Sequence, residues 1–382
     1  MKSYDKSKWE KVRLGDVSDM FSGGTPLVSN KQFYDNGNIP FIRSGEISSS
    51  STELFITEEG LLNSSAKKVH KGDLLLALYG ATSGNVAVSQ ISGAINQAVL
   101  CIRSKFIHPG FLCHLLTYNQ SGITAKYLQG GQGNLSAEII KSLVFRMPNK
   151  QEQLSITKTL DIIQQHISLV EKQISKYENI KKSTEKMLLT PKADWQQVRL
   201  GDIVDYYKGC GLSKEKLSSN GNYPCILYGE LFTKYNEIID EVQSKTFITE
   251  GFSSSYDDVL LPGSTTTCGE DLIKASAILQ DDVLLGGDII VLRPNKRIVC
   301  GRFLAYLISQ YKKDMLKYTQ GITIIHLQGH KMMDLQIKIP NLVVQRDIVN
   351  NIIKIDEHLK QLRYSLDKLC NIKTGMMSYF FG

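Results

Sequence analysis

Histidines, cysteines, paired acids and glycine clusters are the residues whose chemistry would announce a reaction, and their spacing here argues against one. His326 and His330 stand four apart, as two ligands on one helical turn would, but Leu327-Gln328-Gly329 between them lacks the glutamate of a zinc hydrolase and adds a helix-weakening glycine. The seven cysteines (Cys101, Cys113, Cys210, Cys225, Cys268, Cys300, Cys370) are scattered, with none of the close pairs that zinc or redox chemistry needs. They read as reduced, mostly buried thiols. Glu58-Glu59, Asp257-Asp258 and Asp281-Asp282 are paired acids without the lysine that accompanies a nuclease cluster, so they read as turn or solvated residues. Gly130-Gly131-Gln132-Gly133 and Gly209-Cys210-Gly211 do not join strand to helix in the dinucleotide-binding pattern, and no Gly-Lys dipeptide exists to build a nucleotide-phosphate loop. The Asp/Asn-Pro-Pro-Tyr/Phe tetrapeptide of amino-methyltransferases is also missing. No catalytic residue and no metal ligand is assigned.

Bulk properties bound the alternatives. At 382 residues the chain suits two domains better than one core. Hydrophobic content of 42% and charged content of 22% fit a soluble globular protein, and no apolar run approaches the ~20 residues of a membrane span. The opening MKSYDKSKWEKVRLGD has no apolar segment behind its lysines, so no secretory leader is expected and a cytoplasmic location follows. A net charge of +7 permits a polyanionic partner without establishing one.

The elements that must position any site come in two copies. Trp9 to Asp16 reads WEKVRLGD and Trp195 to Asp202 reads WQQVRLGD, six of eight positions identical at an offset of 186. NIPFIRSGEI from Asn38 matches NYPCILYGEL from Asn222, and GDLLLALYGATSG from Gly72 resembles DDVLLPGSTTTCG from Asp257. Late in each half Pro148 pairs with Pro340, Gln153 with Gln345 and Asn179-Ile180-Lys181 with Asn371-Ile372-Lys373, at an offset of 192. Each copy opens with short apolar runs (VRLGDV, IPFIRSG, DLLLALYG, GNVAV, QAVLCIR in the first) whose composition predicts strands. A short amphipathic helix is expected in GFLCHLLTYNQ and in GRFLAYLISQYKKDM, and a proline then closes the globular part.

From Gln151 to Leu189 there is neither proline nor glycine, and apolar residues step by four and three through Ile156, Leu160, Ile163, Ile167, Val170, Ile174 and Tyr177. Adding 192 gives Ile348, Ile352, Ile355, Leu359, Leu362, Leu366 and Leu369. This is a coiled-coil seam, carried on helices roughly 55–60 Å long. The register continues through Lys181 in one copy and Lys373 in the other. Internal pseudo-twofold symmetry predicts antiparallel helices with a globular domain at either end. The expected fold is therefore α+β, with two similar mixed α/β domains (1–147 and 191–339), each followed by a long helix segment (148–190 and 340–382).

This grammar resembles the specificity subunits of Type I restriction–modification systems. PNKQEQLSI from Pro148 and PNLVVQRDI from Pro340 carry the likeness, as do W-x-x-V-R-L-G-D, FSGGTP (Phe21 to Pro26), IPFIRSGEI and GQGNLS. The second copy departs from the pattern with KGCGLSK, GITIIHLQG and Arg346, which stands where Glu152-Gln153 would suggest a glutamine pair. The resemblance implies a non-catalytic chain that binds double-stranded DNA. Each globular domain would be a target-recognition domain reading half of a bipartite, asymmetric sequence. The helices would set the spacer and dock modification subunits, two being expected, with restriction or translocase subunits as further partners. No cofactor is expected on this chain, and S-adenosylmethionine would sit on the modification subunits.

On that implication, loops between strands supply the candidate DNA contacts. They are Thr25, Arg43, Ser44, Tyr79, Thr82, Gln97, Gln129, Gln132 and Asn134 in the first copy. In the second they are Lys208, Lys214, Tyr228, Thr265, Thr266, Thr267, Gln320 and His326. Arginine suits guanine O6/N7, glutamine and asparagine suit adenine, and lysine and threonine also suit phosphates. Two alternatives stay open: a coiled-coil adaptor that binds protein, and a specificity subunit of another restriction–modification type.

Overall fold

The computed structural model describes residues 4–128 and 134–382, so Gln129 and Gln132 lie outside the described residues. The chain divides into two compact units, Met1–Glu171 with Tyr364–Gly382, and Lys172–Arg363.

In the first unit, strand Glu10–Arg13 pairs antiparallel with Val144–Met147 and brings the start of the domain back to its end. Between them lies an antiparallel sheet ordered Ser18–Ser22, Val99–Ser104, Leu74–Ala77, Val86–Val88. A second sheet, ordered Phe55–Ile56, Ile39–Ile42, Gly93–Ile95, Lys67–Val69, has a parallel central pair. The apolar runs of the sequence are the inner strands: Leu74, Leu75, Val99 and Leu100 are wholly buried. VRLGDV is only half strand, because Leu14–Val17 turns into a short helix that plants Leu14 in the core.

The second unit repeats this plan. Gln196–Arg199 pairs with Gln336–Ile339, and Tyr223–Ile226 again runs parallel to a short inner strand, Leu284–Leu285. A five-stranded sheet is centred on Asp258–Pro262 and Ile289–Pro294. One addition has no counterpart among the described residues of the first unit: a three-stranded sheet ordered Ser264–Thr265, Ile325–Leu327, Thr319–Gln320. The expected short helices differ from each other. GFLCHLLTYNQ belongs to a 20-residue helix, Pro109–Leu128, twice the expected length. Its counterpart Gly301–Ile308 breaks into short turns, because seven of its eight residues are buried and the chain must then leave the core.

The repeated opening motif is a clasp. Trp9 and Trp195 are buried, and the amides of Leu14 and Leu200 each donate to the carbonyl of a leucine in the closing segment, Leu143 and Leu335, at 2.9 Å. Gly15 and Gly201 allow this approach: a Cβ there would lie 3.0 Å from Lys141 and 3.1 Å from Met333 respectively. The motif is repeated because both domains need the same closure.

The two 40-residue helices, Lys150–Leu189 and Leu342–Phe381, run antiparallel within each unit. In the first unit Ile156 and Leu160 share a core with Phe111, Met377 and Phe380, so the start of one helix meets the end of the other. In the second, Ile348 and Ile352 share a core with Phe303 and Leu189. All fourteen predicted seam residues are buried or half-buried. Each Ile or Leu fully buried here, such as Ile156, Leu160 and Ile352, contributes about 1.5–3 kcal/mol, which neither helix could gain alone. The register lysines also correspond. Lys373 donates to Gln164 at 2.5 Å in the first unit, and in the second Lys181 lies 2.7 Å from Asp356, the residue equivalent to Gln164.

The Pro-Asn…Gln motif anchors each helix to its domain. Asn149 and Asn341 cap the helices by accepting from the amides of Glu152 and Val344 at 3.0 and 3.1 Å. Gln153 and Gln345 are buried, and each accepts from the amide at the start of a domain helix (His108, 2.8 Å; Cys300, 2.9 Å) while donating back to Pro148 or Pro340. At the 192 offset Arg346 aligns with Leu154, so the second copy keeps the glutamine that makes these bonds. Gln345→Leu fills the same space without the hydrogen bonds. It should lower the unfolding free energy by about 2–3 kcal/mol, read as a shifted urea midpoint at unchanged slope. An unmoved midpoint would mean that the Cys300 amide and the Ile298 and Pro340 carbonyls are satisfied some other way.

All seven cysteines are free, but Cys210, Cys268 and Cys370 are exposed, so "mostly buried" holds for only part of the set. Burial pushes the Cys101 thiol up to about 12 and Cys225 to about 11, where neither is nucleophilic at neutral pH. Among the described residues no helix is long and apolar enough to cross a membrane, and no group of three or more His, Cys, Asp or Glu residues could hold a metal ion.

Candidate nucleic-acid interface

Five of the predicted second-copy residues meet at one cavity. Tyr228, Thr265, Thr266, Thr267 and His326 line a cleft of about 890 Å³, although up to 98 residues separate them in sequence. The three-stranded sheet is what gathers them, since Ser264 pairs with His326 and Thr265 with Ile325. Lys274 and Lys312 share the wall and were missed by sequence reasoning, because nothing in the sequence separates them from other lysines. Burial lowers the pKa of the Lys274 ammonium, with the Glu237 carboxylate opposing.

The hydroxyls of this cleft are oriented. Thr267 Oγ1 donates to the Asp271 carboxylate, which sits below the usual range chiefly because of that bond. With its one proton committed, Thr267 accepts from Thr265 Oγ1 across 2.9 Å. Ser264 likewise donates to Asp288 at 2.7 Å. Thr265 Oγ1 also accepts from the Thr267 amide at 3.3 Å, so each threonine oxygen keeps one lone pair for an incoming donor, the arrangement that suits the exocyclic amino group of adenine or cytosine. Gln320 lies on the neighbouring strand and accepts from Gln328. Lys208 and Lys214 are exposed and do not line the cleft.

The first unit gathers fewer residues. Thr25 and Arg43 line a hollow of about 300 Å³ with Lys31, Tyr34 and Asn96, and Thr25 Oγ1 donates to Gln97 Oε1 at 2.8 Å. Arg43 is tied to two acids. Its guanidinium binds Glu46 at 3.0 Å and Glu53 at 2.6 Å, and these two carboxylates hold it fully protonated. Glu46 in turn caps the Ser44–Glu46 turn by accepting from the Arg43 amide at 3.2 Å. The guanidinium bonds use Nε and Nη2 and shape the loop that presents its neighbours. Ser44 is half-buried in that turn. Tyr79 and Thr82 lie on the separate turn after strand Leu74–Ala77, with the Tyr79 ring against the core, and exposed Asn134 lies apart from the hollow.

A paired device that sequence reasoning also missed recurs in the two units. Arg103 forks onto Asp73 at 2.9 and 2.6 Å and stacks on Phe21. Arg293 forks onto Asp258 at 3.0 and 2.8 Å and stacks on Tyr207 and Phe252. Burial pushes the Asp73 carboxyl up, but Arg103 and the His70 amide pull it below its ordinary value. The signal was present in the repeat, where the aspartates and arginines recur in register with the matched strands.

The comparison with known families decides what these loops belong to. The model of the Type I restriction modification DNA specificity domain matches the chain twice, over residues 6–179 and 192–366. The chain belongs to this family. A Methanocaldococcus jannaschii protein, Type I restriction enzyme MjaVIII specificity subunit, is 21% identical over 400 residues, covering 97% of this chain and 91% of the relative. The Escherichia coli EcoR124I/EcoR124II specificity subunit is 26% identical over 168 residues, 42% of either chain. Among solved structures, the Type I restriction–modification S subunit from M. genitalium superposes with a TM-score of 0.63 at 16% identity, covering 98% of this chain and 96% of the other. A structure described as the basis of assembly and conformational transition of the type I system gives 0.56 at 18% identity, covering 98% of both. These likenesses carry the fold of a Type I specificity subunit. Both family matches include the clefts above.

Proposed function

We propose that the chain is the DNA sequence-specificity subunit of a Type I restriction–modification complex. Each unit reads one half of a bipartite, asymmetric target. The observation that carries this reading is the double match to the DNA specificity domain, with each match spanning one domain and most of its long helix. The clefts supply chemistry of the right kind. One is lined by threonine acceptors, a histidine and lysines, and the other by threonine, asparagine and lysine, which are groups that read base edges and phosphates.

On this reading the chain itself moves no methyl group and cuts no strand. Modification subunits dock on it, and S-adenosylmethionine and the methyl transfer belong to them. Half-sites on one face of B-DNA lie about 34 Å apart or a multiple of it. Helices of 40 residues, about 60 Å long, are stiff enough to fix such a separation. The complex works where the chromosome is, in the cytoplasm.

The test is single-molecule methylation mapping of a strain with and without this gene. A bipartite, asymmetric motif should lose its methylation when the gene is removed and regain it on complementation. An unchanged methylome in a strain that expresses the chain overturns the proposal.

A further inference from the structure

The second unit holds an apolar side chain that nothing in the unit covers. Strands Thr319–Gln320 and Ile325–Leu327 form a two-stranded antiparallel ribbon whose turn carries Ile322, 98% exposed. The turn has a defined shape. Gly321 sits at a φ of +128°, and a Cβ there would lie 2.0 Å from the carbonyl oxygen of Ile324. The ribbon's base is fixed as well, because Ser264–Thr265 pairs along it and the Leu327 amide donates to the Gly263 carbonyl at 2.8 Å. Leu327 itself is buried. An exposed isoleucine is thus held out from the body on a braced support.

We propose that this ribbon enters the major groove of one half-site and that Ile322 packs on the C5-methyl group of a thymine. The inference rests on the reading that this unit binds DNA and adds the base feature that it senses. A major groove about 12 Å wide admits a two-stranded ribbon. The thymine methyl is the apolar group among the base edges displayed there. The surroundings favour DNA over a protein partner. Apart from Ile324, half of whose surface is exposed beside the cleft, the ribbon's exposed side chains Gln320, Thr323 and His326 are polar, and the turns just before it carry Lys312, Lys313 and Lys317, placed for phosphates. A protein-docking patch would instead carry the apolar surface well beyond Ile322 and Ile324. Ile324 and His326 line the cleft of threonine acceptors, so a base read by the tip adjoins bases read by the cleft.

The experiment uses the full chain assembled with its modification subunits and a duplex carrying the motif found by methylation mapping. Each thymine of the motif is replaced in turn by deoxyuridine, which removes one methyl group. For the native chain, one replacement in one half-site should weaken binding about three- to five-fold, the worth of one buried methyl. Ile322→Ala should bind the unmodified duplex about five- to ten-fold more weakly and be indifferent to that same replacement. Ile322→Val should restore the sensitivity, and replacements in the other half-site should affect all three proteins equally. The proposal is overturned if neither half-site contains thymine, if Ile322→Ala binds like the native chain, or if both respond alike to every replacement. Failure of the native complex to bind the mapped duplex at all would instead remove the DNA-reading function itself.

Discussion

Arg293→Ala is expected to lower the unfolding free energy by about 3–5 kcal/mol, the largest single effect among the ion pairs described. The cause is what remains behind. Asp258 has no exposed side-chain surface, and two of its bonds come from the Arg293 guanidinium at 3.0 and 2.8 Å. Among the described residues the Ser255 amide, at 2.8 Å, would be what still holds the carboxylate. Removing the cation strands a buried charge, which costs more than the pair contributes when intact. The guanidinium also stacks on Tyr207 and Phe252, so truncation loses packing too. Arg103→Ala should cost less, because the Asp73 side chain keeps 14% of its surface in water. The double change Arg293→Met with Asp258→Leu replaces the pair by apolar volume and should recover most of the loss. Calorimetric unfolding of the three variants tests this. A double variant as unstable as Arg293→Ala would show that packing, and not the stranded charge, carries the cost.

The Arg–Asp forks recur in register in both copies, as do the parts that were legible in the sequence. Order was preserved over the whole chain, and spacing within each part, wherever both copies need the same mechanical part. The Trp-x-x-Val-Arg-Leu-Gly-Asp clasp, the seam and the Pro-Asn…Gln anchor are all such parts, and all are buried residues, caps or close approaches. The helices were readable because a four-and-three period leaves few alternatives over 40 residues. The candidate interface was only partly readable for the opposite reason. It lies where the copies differ, and its members are brought together by pairings such as Ser264 with His326 that no local period announces. Arg43 illustrates the limit. Its residue type suits guanine, but Glu46 and Glu53 hold it through the fold of a loop. Lys274 and Lys312 illustrate the converse, since they matter by position alone.

The register lysine of the second unit should reveal how tightly helix and recognition domain are joined. Lys181 lies 2.7 Å from Asp356 on the opposing helix, 3.5 Å from Glu185 on its own, and 3.3 Å from Glu237 of the domain. Tyr306 donates to the same Asp356 at 3.0 Å. Burial works against the Lys181 ammonium, but Glu237, Asp356 and Glu185 outweigh it and raise its pKa. Its stabilising effect is therefore lost only when pH rises past the ordinary lysine range. Lys181→Met leaves three acids facing one another, partly buried, and should cost about 3 kcal/mol at pH 8. Burial already holds the Glu185 carboxyl above its usual range with the lysine present. A carboxyl whose folded pKa is raised favours the folded state at low pH and loses that contribution as pH rises through the folded pKa. The deficit of Lys181→Met should consequently shrink between pH 8 and pH 5. Lys373→Met is the control: Lys373 donates to neutral Gln164 at the equivalent place, so its loss should cost under about 1 kcal/mol, with a pH dependence limited to the weak effect of Lys373 on the His114 imidazole. Thermal unfolding of both variants at the two pH values distinguishes them, and parallel curves would refute the role given to the carboxylates. Glu237 also lines the cleft that holds Thr265 to Thr267, so relaxing this cluster disturbs the cleft as well as the helices. Lys181→Met should therefore weaken methylation of the mapped motif even below its unfolding temperature, whereas Lys373→Met should not.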